Sequence, residues 1–187
     1  MINAAFIDRD GVINKEKDYL YKISDFEFTD HCIDALRNII DAGYRIIVVT
    51  NQSGIGRGYY TEADYHKLTD WYVNKLKAYK VDVTDVFFCP HHPNARLAQY
   101  RKRCDCRKPK PGMIVQATEK YDINLATSVL IGDKLTDIQA GEAAGVGTNI
   151  LVGSQTDSVN IAATMEIPYY ENLYQWSLTL LRPKEIK

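Results

Sequence analysis

The stretch Arg45-Ile-Ile-Val-Val-Thr50 (RIIVVT) reads as a strand without a wet face: its β-branched residues run nearly unbroken instead of alternating with polar ones. Such a strand belongs inside a parallel sheet covered by helices on both faces. Toward the N-terminus, Asn3 to Ile7 is a second short apolar run, closed by Asp8. Between the two, Thr29 is placed to cap a helix whose Ile33, Leu36, Ile39 and Ile40 share one face before Gly43 stops it. Toward the C-terminus come a glycine-rich turn, SGIGRG (residues 53–58), a capping box at Thr61 and Asp64, and Tyr65, Leu68, Tyr72, Leu76 and Tyr79 at helical spacing. Further strands are expected near Val83 to Phe88, Ser128 to Ile131 and Thr148 to Val152. Pro111 suits the first turn of a helix carrying Ile114, Ala117 and Tyr121, and Leu135 to Ala144 forms another, stopped by Gly145. The tail adds one more pair of elements after a mobile connection from Gly153 to Glu166. Strands alternating with helices in this way predict a doubly wound α/β fold, one parallel sheet with helices on both faces, in a single domain over residues 1–187. The span from Asp10 to Thr50 is consumed by a loop and a helix, which leaves no room for a large cap domain.

Composition narrows the function classes. Of 187 residues 45% are hydrophobic, and 23 basic side chains balance 24 acidic ones, so neither nucleic acid nor an anionic membrane is an expected partner. No apolar run approaches the roughly 20 residues of a membrane span, and a soluble, cytoplasmic, monomeric protein is expected. Three of the four cysteines fall between positions 89 and 106, a local clip and not a dispersed disulfide framework.

In a doubly wound sheet ligands sit beyond the carboxyl ends of the strands, where Asp8, Thr50, Cys89 and Asp133 all fall. Were the backbone still extended after Ile7, Asp8 and Asp10 would project to one side and Arg9 to the other, with Gly11 allowing a sharp departure. These two carboxylates, joined by Asp133, would repel without a cation, and an all-oxygen set suits Mg²⁺. Thr50-Asn51-Gln52-Ser53 offers a hydroxyl and exposed N–H groups for phosphate oxygens. Gly132-Asp133-Lys134, with Asp137 beyond it, opens another helix with acid and base side by side. Cys89, His91, Cys104 and Cys106, spaced C-x-H and C-x-C in a polar loop (89–110), form two close pairs that fit a closed, structural Zn²⁺ site; His92 is the alternative to His91. That loop also carries Arg96, Arg101, Lys102, Arg103, Arg107, Lys108 and Lys110 against the single acid Asp105, so a second anionic group on the substrate is expected.

The sequence FIDRDGVIN, VVTNQSGIGRG, CDCRKPKPGM and GDKLTD, in that order, resembles the haloacid dehalogenase (HAD) superfamily of phosphotransferases. The resemblance implies Asp8 as nucleophile through an aspartyl phosphate, Asp10 as general acid and base, and Thr50 and Lys108 as stabilisers of the phosphoryl group, Lys110 being a neighbouring candidate. It implies Mg²⁺ on Asp8, Asp133 and the backbone carbonyl of Asp10. With CPHHP and the cysteine clip included, the chain resembles the capless branch that removes the C7 phosphate of D-glycero-D-manno-heptose 1,7-bisphosphate in nucleotide-heptose synthesis for bacterial surface glycans. Glu16, Lys17, Asp18, Tyr19, Asn51, Gln52, Ser53, Arg107, Lys108 and Lys134 would then contact the phosphorylated sugar, Arg107 clamping the remote phosphate. Histidinol-phosphate phosphatase is the nearest alternative. A DNA 3′-phosphatase or a zinc-stabilised binding module without turnover is further off.

Overall fold

The structure, a computed structural model, describes residues 1–153 and 156–181. Six strands form one sheet: β1 (Ala4–Ile7), β2 (Arg45–Asn51), β3 (Val83–Cys89), β4 (Val129–Gly132), β5 (Thr148–Val152) and β6 (Tyr169–Tyr170). They lie in the order β3-β2-β1-β4-β5-β6, every neighbouring pair parallel. Seven α-helices are α1 (Cys32–Asp41), α2 (Ser53–Arg57), α3 (Glu62–Ala78), α4 (Gly112–Tyr121), α5 (Leu135–Ala144), α6 (Thr156–Met165) and α7 (Leu173–Leu178).

The unbroken apolar character of RIIVVT has the predicted cause. Ile46 and Val48 pack with Leu36 and Ile39 of α1, Tyr72 and Leu76 of α3 and Trp176 of α7. Ile47 and Val49 face the other way, onto Met113, Ile114 and Ala117 of α4 and Ile138 of α5. Both faces of the sheet are therefore covered, and truncating Ile47 to Ala would cost about 2–5 kcal/mol as a fully buried site. The chain leaves β1 for β2 on one side and reaches β4 on the other, so the topological switch point lies between β1 and β4. A crevice opens there at the carboxyl edge.

Thr61 and Asp64 make the predicted capping box, and Gly145 ends α5 at φ 84°. Three expectations change. Thr29 does not cap α1: its hydroxyl donates to the Val12 carbonyl at 2.7 Å, tying down the β1–α1 loop, and His31 in a left-handed conformation precedes the helix instead. SGIGRG is not an open turn, because residues 53–57 coil into α2 and only Gly58 takes a positive φ, 78°. Beyond residue 166 the tail supplies the expected pair, β6 and α7. Most of the supposed mobile connection is α6, with residues 154 and 155 outside the described residues.

Candidate active site

A cleft of about 390 Å³ opens at the switch point, with Asp8, Asp10, Thr50, Lys108 and Asp137 at its base. Asp8 follows β1 directly, its N–H still bonded to the Ile131 carbonyl of β4 at 3.0 Å. Lys108, buried although it comes from a loop, reaches in from the far side. Its ammonium group lies 2.9 Å from Asp8 Oδ1, 2.6 Å from Asp137 Oδ1 and 2.7 Å from the Val49 carbonyl, so each of its three N–H bonds has a partner. Lys110 points outward to Asp105 at 2.8 Å. Of the two lysines, Lys108 is the one at the cleft.

Asp8 and Asp10 both reach the cleft, as the sequence predicts, but Arg9 does not point away from them. β1 ends at Ile7 and residues 8–11 turn away, which brings Arg9 onto the same side as Asp10. Arg9 is 1% exposed and donates to both oxygens of Asp10, at 2.8 and 2.9 Å from Nη2. Asn14 donates to Asp10 Oδ1 at 3.0 Å, and Gln52 Nε2 bridges Asp10 Oδ2 (3.0 Å) and Thr50 Oγ1 (2.9 Å). Tyr60 donates to the other end of the Gln52 amide, and Gly54 permits it: a Cβ there would sit 2.2 Å from the Tyr60 ring.

Among the residues expected to meet substrate, Glu16, Asp18, Tyr19, Asn51, Gln52, Ser53, Lys108 and Lys134 line the cleft. Lys134 reaches across it to Glu16 at 2.7 Å. Asn51 is engaged differently from a free ligand group: its amide donates to the Lys108 carbonyl and accepts the Lys108 N–H, both at 3.1 Å, so it sets the backbone that carries the lysine. Lys17 and Arg107 are not among the lining residues. Lys17 donates to the Asp25 carbonyl and pairs with Glu27 at 3.8 Å, while Arg107 donates to the His91 carbonyl.

Electrostatics favours a cation at the base. Asp8, Asp133 and Asp137 bring carboxylate oxygens within 4.8 Å of one another. Asp137 is already held by Lys108 and by the Lys134 N–H, whereas Asp133 Oδ1 is buried without a hydrogen-bond partner. Burial, then the charge of Asp8, pushes Asp133 up to about 8; burial raises Asp8 to about 6 against the opposing pull of Lys108. A divalent ion would relieve both, and two carboxylates completed by a carbonyl and waters fit Mg²⁺. Gly11 makes the approach feasible, since at φ 84° a Cβ would lie 2.3 Å from Asp133 Oδ2.

A second cluster stands at the end of β3. Cys89, His91, Cys104 and Cys106 converge, with Sγ–Sγ separations of 2.9 Å (Cys89 to Cys106), 3.3 Å (Cys104 to Cys106) and 3.5 Å (Cys89 to Cys104), and His91 Nδ1 3.3 Å from Cys106. The three cysteines are unbridged thiols. A tetrahedral Zn²⁺ with Zn–S near 2.3 Å holds its sulfurs roughly 3.8 Å apart, wider than the 2.9–3.5 Å found here, so the donor set fits that ion and the thiols would spread to admit it. Bonding from Cys89 holds the Cys106 thiol down to about 5 while Cys89 itself is pushed up, as expected of sulfurs sharing one negative charge. His92 is excluded from the set: its ring contacts Arg57 and accepts the Asn94 N–H.

Comparison with known proteins fits this geometry. Residues 105–170 match a HAD-hydrolase-like family model. Over 151 residues, 81% of this chain and 82% of the relative, the chain is 56% identical to the D-glycero-alpha-D-manno-heptose-1,7-bisphosphate 7-phosphatase of Photorhabdus laumondii. It belongs to the heptose-bisphosphate phosphatase family of the HAD superfamily. Over 188 aligned residues, 100% of this chain and 94% of the relative, it is 43% identical to the D-glycero-beta-D-manno-heptose-1,7-bisphosphate 7-phosphatase of Escherichia coli strain K12. A crystal structure of D,D-heptose 1,7-bisphosphate phosphatase from B. bronchiseptica, complexed with magnesium and phosphate, superposes with a TM-score of 0.82 at 29% identity, covering 96% of this chain and 98% of that one.

Three side chains lining or backing the cleft hold places that the sequence does not single out. Arg9 was taken to point away, Tyr60 looked like one aromatic among 13 tyrosines, and Asp137 looked like an ordinary first-turn acid. The signal for Asp137 was its place one helical turn beyond Asp133, which returns it to the lysine.

Proposed function

We propose that the protein is a Mg²⁺-dependent phosphatase that removes the C7 phosphate of D-glycero-D-manno-heptose 1,7-bisphosphate through an aspartyl phosphate. The observation that carries the reading is the buried Lys108 paired with Asp8 in a cleft that also holds Asp10, with the unpartnered carboxylate of Asp133 within 4.8 Å of Asp8. Asp8 Oδ1 is engaged by Lys108 and by the Arg9 N–H at 2.8 Å, which leaves Oδ2 as the attacking oxygen. Oδ2 forms a bond to phosphorus as the phosphorus–O7 bond breaks, and the departing oxygen takes both bonding electrons and the proton of Asp10. Asp10, now a carboxylate, removes a proton from water; the water oxygen bonds to phosphorus, the Asp8–phosphorus bond breaks, and phosphate leaves. Thr50 and Lys108 hold the equatorial oxygens in both steps. Bound by Asp8, Asp133 and the Asp10 carbonyl, Mg²⁺ supplies charge neutralisation for the transferring group.

Without a large cap, selectivity rests on the cleft walls: Glu16, Asp18 and Tyr19 on one side, Asn51 to Ser53 and Lys134 on the other, all proposed sugar contacts. Lys17 and Arg107, a short way off, complete the expected set, Arg107 for the C1 phosphate. Zn²⁺ on Cys89, His91, Cys104 and Cys106 has no open position and serves to hold loop 89–110. The relative named for the α anomer is 56% identical over 151 residues, whereas relatives named for the β anomer are 44–48% identical over the same length, which supports the α bisphosphate as the preferred substrate. Phosphate release from the α and β bisphosphates and from histidinol phosphate, measured side by side, tests the reading. Faster turnover of the α bisphosphate is expected; preference for histidinol phosphate would overturn it.

A further inference from the structure

Arg9 is the largest fully buried side chain in the protein, and nothing in the proposed chemistry accounts for it. Taking a guanidinium out of water costs several kcal/mol, which a single ion pair seldom returns. Its Nη2 divides three ways, to both oxygens of Asp10 and to the Leu20 carbonyl at 3.1 Å. Leu20 ends the segment that places Glu16, Asp18 and Tyr19 on the wall of the cleft. Behind the guanidinium lies α3. Tyr65, Thr69 and Tyr72 sit at i, i+4 and i+7 on one face of that helix, and all three hydroxyls, like Arg9 Nη1, are buried without a hydrogen-bond partner. Burial pushes Tyr65 up to about 12, against the pull of the nearby Thr69 hydroxyl and then of the Arg9 charge. The cation is thus backed by polar groups on an otherwise apolar face, while its front side grips a carboxylate and a substrate-facing loop together.

We infer that Arg9 is the positioning residue of the acid–base carboxylate, fixing Asp10 between Gln52 and Asn14 and linking its placement to the loop that meets the sugar. This rests on the phosphatase reading above, in which Asp10 first donates and then accepts a proton. A misplaced Asp10 should hurt most where the leaving oxygen needs a proton, as a primary alkoxide does and p-nitrophenolate does not.

The test compares Arg9→Met and Arg9→Lys with wild type on heptose 1,7-bisphosphate and on p-nitrophenyl phosphate. Arg9→Met is expected to lower kcat on the sugar about 100-fold, the scale of one general acid, with KM changed less than about threefold. On the aryl ester it should give a burst of about one equivalent of p-nitrophenolate per site, because phosphorylation proceeds while hydrolysis of the aspartyl phosphate, which also needs Asp10, lags. Arg9→Lys keeps the charge without the fork, so its sugar kcat should fall between the two, and it makes the same comparison if Arg9→Met does not fold. Equal losses on both esters without a burst would mean that Arg9 only stabilises the fold and would overturn the inference, as would an unchanged kcat on the sugar. A wild-type protein that releases phosphate from neither ester would overturn the phosphatase reading and this inference together.

Discussion

Lys108 shows how one residue can be both buried and charged. Desolvation alone would lower it, but Asp137 and Asp8 outweigh burial and raise it, so the ammonium form is kept at any physiological pH. Replacing Asp8 by Asn should therefore separate chemistry from stability. An amide cannot form the acyl phosphate, so phosphate release should drop by at least about 10³-fold. Stability should move the other way: Asp8, raised to about 6 from 3.8, contributes stability below pH 4 and loses it as pH rises through 6. At pH 8 without Mg²⁺, Asp8→Asn should melt no lower than wild type, and a lower melting temperature would contradict the burial argument. Asn51→Ala should cost about 1–3 kcal/mol, since it strips two partners from the Lys108 backbone. Urea denaturation reads that loss, and kcat should fall more than KM rises. Asp8, Thr50, Lys108 and Asp133 were all legible in the sequence because each follows a strand or lies in a recognisable motif. Arg9 was not, because period-2 alternation holds only while the backbone stays extended, and here it stops one residue earlier.

Among the elements, strands and long helices were read nearly to their ends, for the reason that made RIIVVT decisive: burial on two faces leaves a pattern that local chemistry rarely imitates. Short pieces were harder. Residues 53–57 hold two glycines yet form a helix turn, since a Cβ on Gly56 would meet the Pro90 carbonyl at 2.8 Å and the chain needs closeness there more than intrinsic propensity. Thr29 is a good capping residue used to fasten a loop, a choice made by tertiary contact with Val12. The convergence of Cys89, His91, Cys104 and Cys106 was legible from their spacing in the loop after β3, while the loop's cations proved partly structural: Arg101 donates to the Ala95 and Arg96 carbonyls. If Zn²⁺ holds that loop, Cys104→Ser should contain less than one zinc per chain by elemental analysis and should melt several degrees lower. Unchanged metal content would rule the clip out.

For the molecule as a whole, the acid cluster ties Mg²⁺ binding to pH. Asp8 and Asp133 are raised to about 6 and 8, so each gives stability that is complete at low pH and lost as pH climbs through those values. A divalent ion binds their ionised forms. The rise in melting temperature produced by Mg²⁺ should accordingly be larger at pH 8 than at pH 6, and a shift independent of pH would argue against these two carboxylates as ligands.

The placing of Lys108 two residues beyond Cys106 has a last consequence. The proposed catalytic cation stands on neither a strand nor a helix, and on the zinc reading its loop would be moored by thiols that take no part in the reaction. Chelators should therefore inactivate the enzyme in two stages: a rapid one that added magnesium reverses, and a slow one that only zinc repairs. If zinc holds the clip, protein made without it should keep Asp8, the proposed nucleophile, in place while Lys108 loses its position.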